Sequence, residues 1–236
     1  MFNFKEFFKG IKAGLPVCAG YFSVSFGFGS MAVVQGISLL QAILISATNL
    51  TSAGQFAGLT VIVSGATVIE LILTQLIINS RYSLMSVALG QKFGQKVGFW
   101  KRIICAFFNT DELFAIGMSR KEPLSPTFFV GAGVISWVGW TSGTALGAIA
   151  GSALPLDIRA SLSVMLYGMF IAIVVPEVKK GKAMLVNMLL ALIFSCLFAW
   201  VPGLNQISSG LVIVICTVAA AAICAILFPV KQEVAE

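Results

Sequence analysis

Long apolar runs, broken by short polar or charged segments, dominate the chain. Three stretches are nearly free of charge: 13–91, which holds only Glu70 and Arg81, and 123–156 and 183–230, which hold none. A helix needs about 20 mostly apolar residues to cross the hydrocarbon core of a membrane, so each stretch can hold one or more crossings. Because lipid offers backbone groups no hydrogen-bond partners, these runs predict helices rather than open sheets.

The pattern predicts an all-α integral membrane protein, a polytopic bundle of about seven to eight transmembrane helices. At least one pass is predicted to be broken or re-entrant, because small and polar residues interrupt the run 39–63 at Asn49–Gln55. The other predicted helices cover about 13–35, 66–90, 103–118, 127–151, 161–175, 183–200 and 207–228.

Basic residues in the short loops set the expected orientation. Lysine and arginine cluster before residue 13, over 92–102 and over 179–182, and loops of this kind stay in the cytoplasm. Three complete passes would place the loop 92–102 outside, whereas a re-entrant pass at Asn49–Gln55 returns it to the cytoplasmic side. We therefore expect a multi-pass protein with a cytoplasmic N-terminus.

A weak internal similarity points to two halves within a single transmembrane transporter domain, 1–236. Tyr21–Gly36 aligns with Trp137–Ser152, and the halves would cover about 13–118 and 126–228. Transporters often contain such repeats, with the substrate bound between them. Chance is the alternative, because two helices rich in glycine and alanine match easily.

Composition narrows the range of functions. Only 10% of the residues are charged and 58% are hydrophobic, whereas a soluble domain carries roughly 25% charged residues. The chain has no histidine, and its five cysteines lie in apolar runs without metal-ligand spacing, so we expect no metal site and no cofactor. Because no nucleophile or nucleotide-binding motif occurs, we expect no enzyme. The net charge of +6 lies in the loops and indicates a membrane surface as partner rather than nucleic acid.

Glycines at four-residue spacing predict a packing face on one helix: Gly139, Gly143, Gly147 and Gly151. At about 3.6 residues per turn they share one side of the helix, and such small faces let helix backbones approach closely in lipid. The partner helix can belong to another subunit or to this chain, which we favour.

Ionisable residues inside apolar runs are the candidates for proton or ion coupling and for gating: Glu70, Arg81, Asp111 and Glu112. Inserting such a residue costs about 2.5–3.5 kcal/mol on insertion scales, and a buried carboxyl group can carry a proton. The alternatives are a structural pairing of Arg81 and a surface position for Asp111 and Glu112.

The break at Thr51–Gln55 can expose backbone N–H groups at the start of a half-helix. Such a helix N-terminus carries a partial positive charge that suits an anion such as an amino-acid carboxylate. An ordinary loop between two short helices is the alternative.

The order of these motifs resembles the AzlC family over nearly the whole chain, about 9–228. The matching segments are Gly14-Leu15-Pro16, Phe26-Gly27-Phe28-Gly29, Ser52-Ala53-Gly54-Gln55-Phe56, Asn79-Ser80-Arg81-Tyr82, Asp111-Glu112, Trp140-Thr141 with Gly143, Thr144 and Gly147, and Leu156-Asp157. One departure is Ile158-Arg159, which adds a cation after the last motif.

The resemblance implies the large subunit of a branched-chain amino-acid exporter in a bacterial inner (plasma) membrane. Such a subunit works with a small hydrophobic AzlD-type membrane partner and exports leucine, isoleucine, valine or analogues, with the proton-motive force as the expected energy source. A channel-like or structural membrane subunit for another small solute, without proton coupling, is the alternative.

A zwitterionic substrate needs sites for its carboxylate, its ammonium group and its apolar side chain. The candidates for substrate binding are small or polar residues of the break and the following helix: Asn49, Ser52, Gly54, Gln55 and Asn79. Glu70 or Asp111 would meet the ammonium group or the coupled proton.

Overall fold

The computed structural model describes residues 3–93, 97–120, 123–153, 171, 175, 178–179 and 181–229. Over these residues the chain forms α-helices and no strands, which confirms the predicted all-α class. The helices are α1 Phe4–Val34, α2 Leu39–Thr48, α3 Ala53–Val63, α4 Val68–Phe93, α5 Phe99–Phe107, α6 Asp111–Ser119, α7 Pro126–Ala153, α8 Lys182–Trp200 and α9 Ser209–Leu227.

Three of the described helices are both long and apolar enough to cross a membrane: α1, α8 and the Gly210–Leu227 part of α9. With 26 and 28 residues, α4 and α7 are each about 40 Å long, which also suffices to cross. The total number of crossings stays a prediction. Most of the predicted helix 161–175, the Leu156-Asp157 motif and Arg159 lie outside the described residues.

Helix boundaries differ from the prediction at two places. α1 begins near the N-terminus rather than at about residue 13, because the Asn3 side chain caps it by accepting a hydrogen bond from the Glu6 N–H at 3.2 Å. The predicted helix 103–118 is two helices, α5 and α6, separated at Phe108–Thr110. Asp111 and Glu112 therefore begin a helix instead of lying in the middle of one.

The described helices pack into two compact units that interleave along the sequence. Unit 1 contains Met1–Phe56 and Asn79–Leu166, and unit 2 contains Ala57–Ile78 and Tyr167–Glu236. Unit 1 holds α1, α2 and α5 to α7, whereas unit 2 holds α8 and α9, which pack against each other. The single transporter domain and its two repeat halves stay predictions.

Within unit 1, α1 and α7 pack against each other over most of their length. Each glycine of the predicted face lies against the α1 backbone, where an added methyl group would collide: Gly139 at Cys18, Gly143 at Phe22, Gly147 at Phe26 and Gly151 at Ser30. Because the residue numbers of the contacts increase together along α7 and α1, the two helices run parallel. This direction fits a parallel repeat rather than an inverted one, while the repeat itself stays a prediction.

The predicted break divides the run 39–63 into α2 and α3, which form a helical hairpin. Near its tip, Ser46 of α2 lies 2.7 Å from the Thr144 hydroxyl of α7 and accepts a hydrogen bond from the Gln55 amide of α3 at 2.5 Å. Gly54 lies against Asn79, and Gly58 lies against Gln75, so α3 and α4 are antiparallel. The predicted break is therefore present, whereas the re-entrant course that the basic loops favour stays a prediction.

A second hairpin, α5–α6, approaches α4 from the C-terminal end of α4, whereas α3 lies along its N-terminal half. The contacts with α4, in order along the hairpin, are Arg102 with Gly90, Asn109 with Ser86, Asp111 with Arg81, and Gly117 with Leu89. The residue number of the contacted α4 position decreases from Gly90 to Arg81 along α5 and the turn, and it increases again to Leu89 along α6. The hairpin thus enters unit 1, turns at Phe108–Thr110 and returns.

Candidate functional site

Both hairpin tips meet the same short segment of α4, Asn79–Tyr82. The α2–α3 tip reaches Asn79 through Gly54, where an added methyl group would lie 2.9 Å from the Asn79 Oδ1. The α5–α6 tip reaches Arg81 through Asp111. Broken helices place backbone dipole ends and irregular backbone inside a membrane protein, which is where transporters bind their substrates. This meeting point is the candidate site.

The α5–α6 tip is charged, because the first two residues of α6 are Asp111 and Glu112. The Arg81 guanidinium forms an ion pair with the Asp111 carboxylate and stacks over the Tyr82 ring, 5.0 Å from its centre. The Glu112 carboxylate accepts a hydrogen bond of 2.5 Å from the hydroxyl of Tyr21 on α1. We call these five residues the charged cluster. It sets two carboxylates against one guanidinium, so one carboxylate lacks a cationic partner within the cluster.

Local helix chemistry stabilises this arrangement. Thr110 is the N-cap of α6 and its side chain accepts a hydrogen bond from the Leu113 N–H. Asp111 and Glu112 lie in the first turn, where the partial positive charge of the helix end favours carboxylates. The helix thus holds both acids at its tip, and their side chains reach different neighbours, α4 and α1.

The α2–α3 tip is uncharged. Ser52 adopts a φ of +49°, a left-handed conformation that costs a non-glycine residue roughly 1–2 kcal/mol. The Asn49 Oδ1 accepts a hydrogen bond from the Thr51 N–H at 3.2 Å, and the Thr51 hydroxyl oxygen is buried with no hydrogen-bond partner in the described part of the chain. Together with Gly54, these residues form a tight turn at the N-terminus of α3.

Gln55 connects the tip to the rest of unit 1. Its side chain is 1% exposed, donates to the Ser46 hydroxyl and accepts from the Trp140 indole N–H at 3.0 Å. Trp140 in turn packs edge-to-face on Tyr21, with ring centres 5.3 Å apart. Gln55 therefore binds protein groups in this conformation, and a continuous chain of contacts joins the neutral tip to Glu112.

Glu70 belongs to unit 2 and contacts the start of α9. An added methyl group at Gly210 would lie 3.3 Å from the Glu70 Oε2, and the hydroxyl of Thr74 donates to the Gly210 carbonyl at 3.3 Å. The Glu70 Oε2 is buried without a hydrogen-bond partner among the described residues. A carboxylate beside a helix N-terminus is electrostatically favoured, so this position suits a charged Glu70, and its role in coupling stays a prediction.

The predicted site residues thus separate into groups. Arg81, Asp111 and Glu112 come together in the charged cluster, whereas Gly54 and Asn79 meet at the neutral tip. Tyr21 and Ser46 were not predicted, because a lone tyrosine or serine in an apolar helix carries no signal in the sequence. Among the described residues, no group of three or more cysteine or carboxylate side chains could hold a metal ion.

Comparison with known proteins decides the family. The sequence profile of the AzlC protein family matches residues 16–154, more than half of the chain. The chain belongs to the AzlC family. The match covers all of α2 to α7, so the two hairpins and the charged cluster lie inside the part that defines AzlC proteins.

Relatives of this AzlC protein occur in archaea and bacteria. An uncharacterized membrane protein of Archaeoglobus fulgidus is 32% identical over 175 residues, which is 73% of this chain and 76% of the relative. The inner membrane protein YgaZ of Escherichia coli is 27% identical over 188 residues, 77% of each chain. An uncharacterized membrane protein of Helicobacter pylori is 25% identical over 187 residues, 74% of this chain and 78% of the relative. No solved structure matches the chain.

Proposed function

We propose that this AzlC protein is the large subunit of an exporter of branched-chain amino acids. It works in a bacterial inner membrane with a small AzlD-type partner, its N-terminus faces the cytoplasm, and the proton-motive force drives export. The observation that carries the proposal is the meeting of two helical hairpins at Asn79–Tyr82, one neutral and one charged. A zwitterionic substrate could place its carboxylate at the neutral tip and its ammonium group at the charged tip.

The neutral tip suits the substrate carboxylate. α3 begins at Ala53 after the turn at Ser52, and the Gly54 and Phe56 N–H groups donate to the Thr51 and Ser52 carbonyls. The positive end of the helix dipole attracts an anion to this turn. Asn49 and Asn79 flank this turn and add directional hydrogen bonds, while Gln55 holds the turn in place.

The charged cluster suits the substrate ammonium group and the coupled proton. Asp111 is neutralised by Arg81, so a second cation is not needed there. Glu112 has only the neutral Tyr21 hydroxyl as its hydrogen-bond partner in the cluster. Either a proton or an ammonium group can neutralise Glu112, and competition between them at one carboxylate would couple proton entry to amino-acid export.

Gating follows from the direction of the hairpins. They enter unit 1 from opposite ends, so movement of one would open the site toward one side of the membrane while the other stays closed. This is the requirement of alternating access. The Arg81–Asp111 ion pair joins the α5–α6 tip to α4 and is the contact that such a movement would break.

Leucine efflux tests the proposal directly. Proteoliposomes containing the chain, with or without an AzlD-type partner, are preloaded with labelled leucine, and efflux is followed before and after the proton gradient is collapsed. Efflux that needs the partner and falls on collapse is expected. Leucine movement that ignores the gradient would favour a channel-like subunit, and no movement in any condition would refute leucine export.

A further inference from the structure

A line of buried side chains joins the charged tip to the neutral tip through α7. Trp140 of α7 is 1% exposed, and its ring packs on Tyr21 of α1 at an interplanar angle of 74°. Its indole N–H donates to the Oε1 of Gln55 in the first turn of α3. Because Tyr21 also donates to the Glu112 carboxylate, Trp140 lies between the residue that binds Glu112 and the residue that holds the α3 turn.

Gln55 can adopt only one orientation in this line. An indole N–H can only donate a hydrogen bond, so the amide atom that faces Trp140 is the oxygen. The amide nitrogen donates to the Ser46 hydroxyl of α2, which lies 2.7 Å from the Thr144 hydroxyl of α7. All four side chains are 1% exposed or less, and a buried polar group that loses its partner is costly. A displacement of Trp140 therefore has to displace Gln55 and with it the first turn of α3.

At the other end of the line, Tyr21 responds to the charge of Glu112. A hydrogen bond to a carboxylate is roughly twice as strong as one to a neutral acceptor, so a proton on Glu112 weakens the bond that holds the Tyr21 hydroxyl. The other members of the charged cluster, Arg81 and Tyr82 on α4 and Asp111 on α6, are also charged or titratable. Arg81 pairs with Asp111 and stacks on Tyr82, and α7 has no titratable side chain. Tyr21 is therefore the neighbour that the charge of Glu112 acts on through a direct bond.

We propose that Trp140 is a positioning residue that couples the two tips. While Glu112 is charged, Trp140 keeps the first turn of α3 in the geometry that binds the substrate carboxylate. A proton on Glu112 releases Tyr21, lets Trp140 and Gln55 shift, and weakens the carboxylate site while it displaces the ammonium group. Coupling of this kind is carried by packed side chains and hydrogen bonds that have two arrangements. The inference rests on the proposed function and adds to it the connection by which one proton releases both ends of the amino acid.

Isocaproate, which is leucine without its amino group, separates this coupling from direct competition at Glu112. It can occupy the neutral tip without an ammonium group to place at the charged tip. Glu112→Gln supplies the neutral form of the acid. If charge acted on the ligand directly, removing a negative charge would strengthen binding of this anion. Coupling through Trp140 predicts the opposite sign, a weakening of about fivefold.

A double-mutant cycle assigns the effect to Trp140. Binding of isocaproate is measured by calorimetry on the full chain purified with its partner. Trp140→Phe removes the indole N–H but keeps an aromatic ring against Tyr21, so in this background Glu112→Gln should no longer weaken binding. Trp137→Phe is the matched control, because Trp137 lies one turn earlier on α7 and its indole N–H donates to the Ala47 carbonyl of α2 at 2.8 Å. In that background the fivefold effect should persist.

Tyr21→Phe tests the other link and gives an answer even if Trp140→Phe does not fold. It removes the hydroxyl that binds Glu112 and keeps the ring that packs on Trp140, so it should abolish the effect of Glu112→Gln in the same way.

The outcomes separate the coupling from the transport function. If the wild-type chain moves leucine, but Glu112→Gln leaves isocaproate binding unchanged, strengthens it, or weakens it equally in the Trp140→Phe and Tyr21→Phe backgrounds, the role of Trp140 is overturned and export stands. If the wild-type chain binds neither isocaproate nor leucine and moves no leucine, the proposed function is refuted and the coupling falls with it.

Discussion

The hairpins α2–α3 and α5–α6 end at the same segment of α4, yet their tips are built from opposite chemistry. The first turns through Asn49–Ser52, with small and amide side chains, one strained serine and no charge. The second turns through Phe108–Thr110 into two carboxylates that pair with Arg81 and Tyr21. Both present a helix N-terminus to the site, but only the second has covered it with its own acidic groups.

Under the proposed function, this difference gives the two tips different ligands. A helix N-terminus without nearby acids remains attractive to an anion, whereas one that already carries two carboxylates attracts a cation or a proton. A neutral zwitterion satisfies both tips at once. A purely anionic or purely cationic solute would satisfy only one of them, which is why the comparison favours an amino acid over a simple ion.

The largest effect is expected from removing the cation of the charged tip. Arg81→Ala leaves Asp111 and Glu112 without a compensating charge, so we expect leucine efflux to fall about 100-fold, equivalent to about 2.7 kcal/mol. Because the Arg81 and Asp111 side chains are 45% and 48% exposed, the free energy of unfolding should fall by only about 1 kcal/mol or less. Efflux and unfolding are measured on the same preparation.

The double variant Arg81→Ala with Asp111→Asn shows whether the two residues act as a pair. If they do, the double variant loses no more activity than Arg81→Ala alone, because one interaction has been removed once. Fully additive losses would instead show that Arg81 acts on the substrate independently of Asp111.

Proton coupling should depend on the second acid of the same tip. Glu112→Gln keeps the size of the side chain and a hydrogen bond to Tyr21 but cannot exchange a proton. We expect the stimulation of efflux by a proton gradient to fall about tenfold, within the usual range of coupling between ligands. Leucine exchange without a gradient should persist with weaker binding, because the glutamine amide oxygen can still accept a hydrogen bond from the ammonium group but carries no charge.

Glu70→Gln is the matched comparison, because it makes the same change at the start of α9 in unit 2. We expect it to retain the response to the gradient. The opposite result, with Glu112→Gln normal and Glu70→Gln insensitive to the gradient, would move the coupling site to Glu70.

How much the sequence predicts differs between the two hairpins. The break before Gln55 was visible because polar and small residues interrupt a long apolar run, and the basic loops favoured a re-entrant pass. The break before Asp111 was missed. Phe108-Asn109-Thr110 follows a short apolar run, and nothing in its composition separates a helix end from a polar turn within a continuing helix.

Contacts between distant segments explain the rest of what was missed. The sequence singled out Arg81 and Glu112 as ionisable residues inside apolar runs, but the partner of Arg81 lies 30 residues away and that of Glu112 lies 91 residues away. The glycine spacing in α7 predicted a packing face but could not name α1 as the partner. Local periodicity reports which side of a helix packs, whereas the identity of the neighbour is set by the tertiary fold.

A smaller effect should separate the glycines of the two hairpins. A methyl group at Gly54 would lie 2.5 Å from the Thr51 hydroxyl and 2.9 Å from the Asn79 amide oxygen, so Gly54→Ala must displace polar groups of the neutral tip. At Gly117 on α6 the nearest atoms are Leu124 Cδ2 at 3.0 Å and Leu89 Cδ2 at 3.2 Å, both ends of flexible side chains. We expect Gly54→Ala to weaken leucine binding about fivefold, because small misplacements of binding groups are costly. Gly117→Ala should stay within about twofold, and equal losses would argue that Gly54 only packs.

The smallest effects are expected from substitutions in the two hairpin turns, which should change the free energy of unfolding in opposite directions. Ser52 has a φ of +49°, so Ser52→Gly relieves strain and should stabilise the protein by up to about 1 kcal/mol, after the greater entropy of an unfolded glycine is subtracted. Thr110 has a φ of −116° and caps α6 with its side chain, so Thr110→Ala should destabilise by about 1 kcal/mol. Thermal unfolding of the purified protein measures both.

If strain at Ser52 is needed to aim the α3 N-terminus at the carboxylate, Ser52→Gly will be more stable yet bind leucine more weakly. A stabilised variant with unchanged binding would show that the turn is strained for the sake of the fold alone.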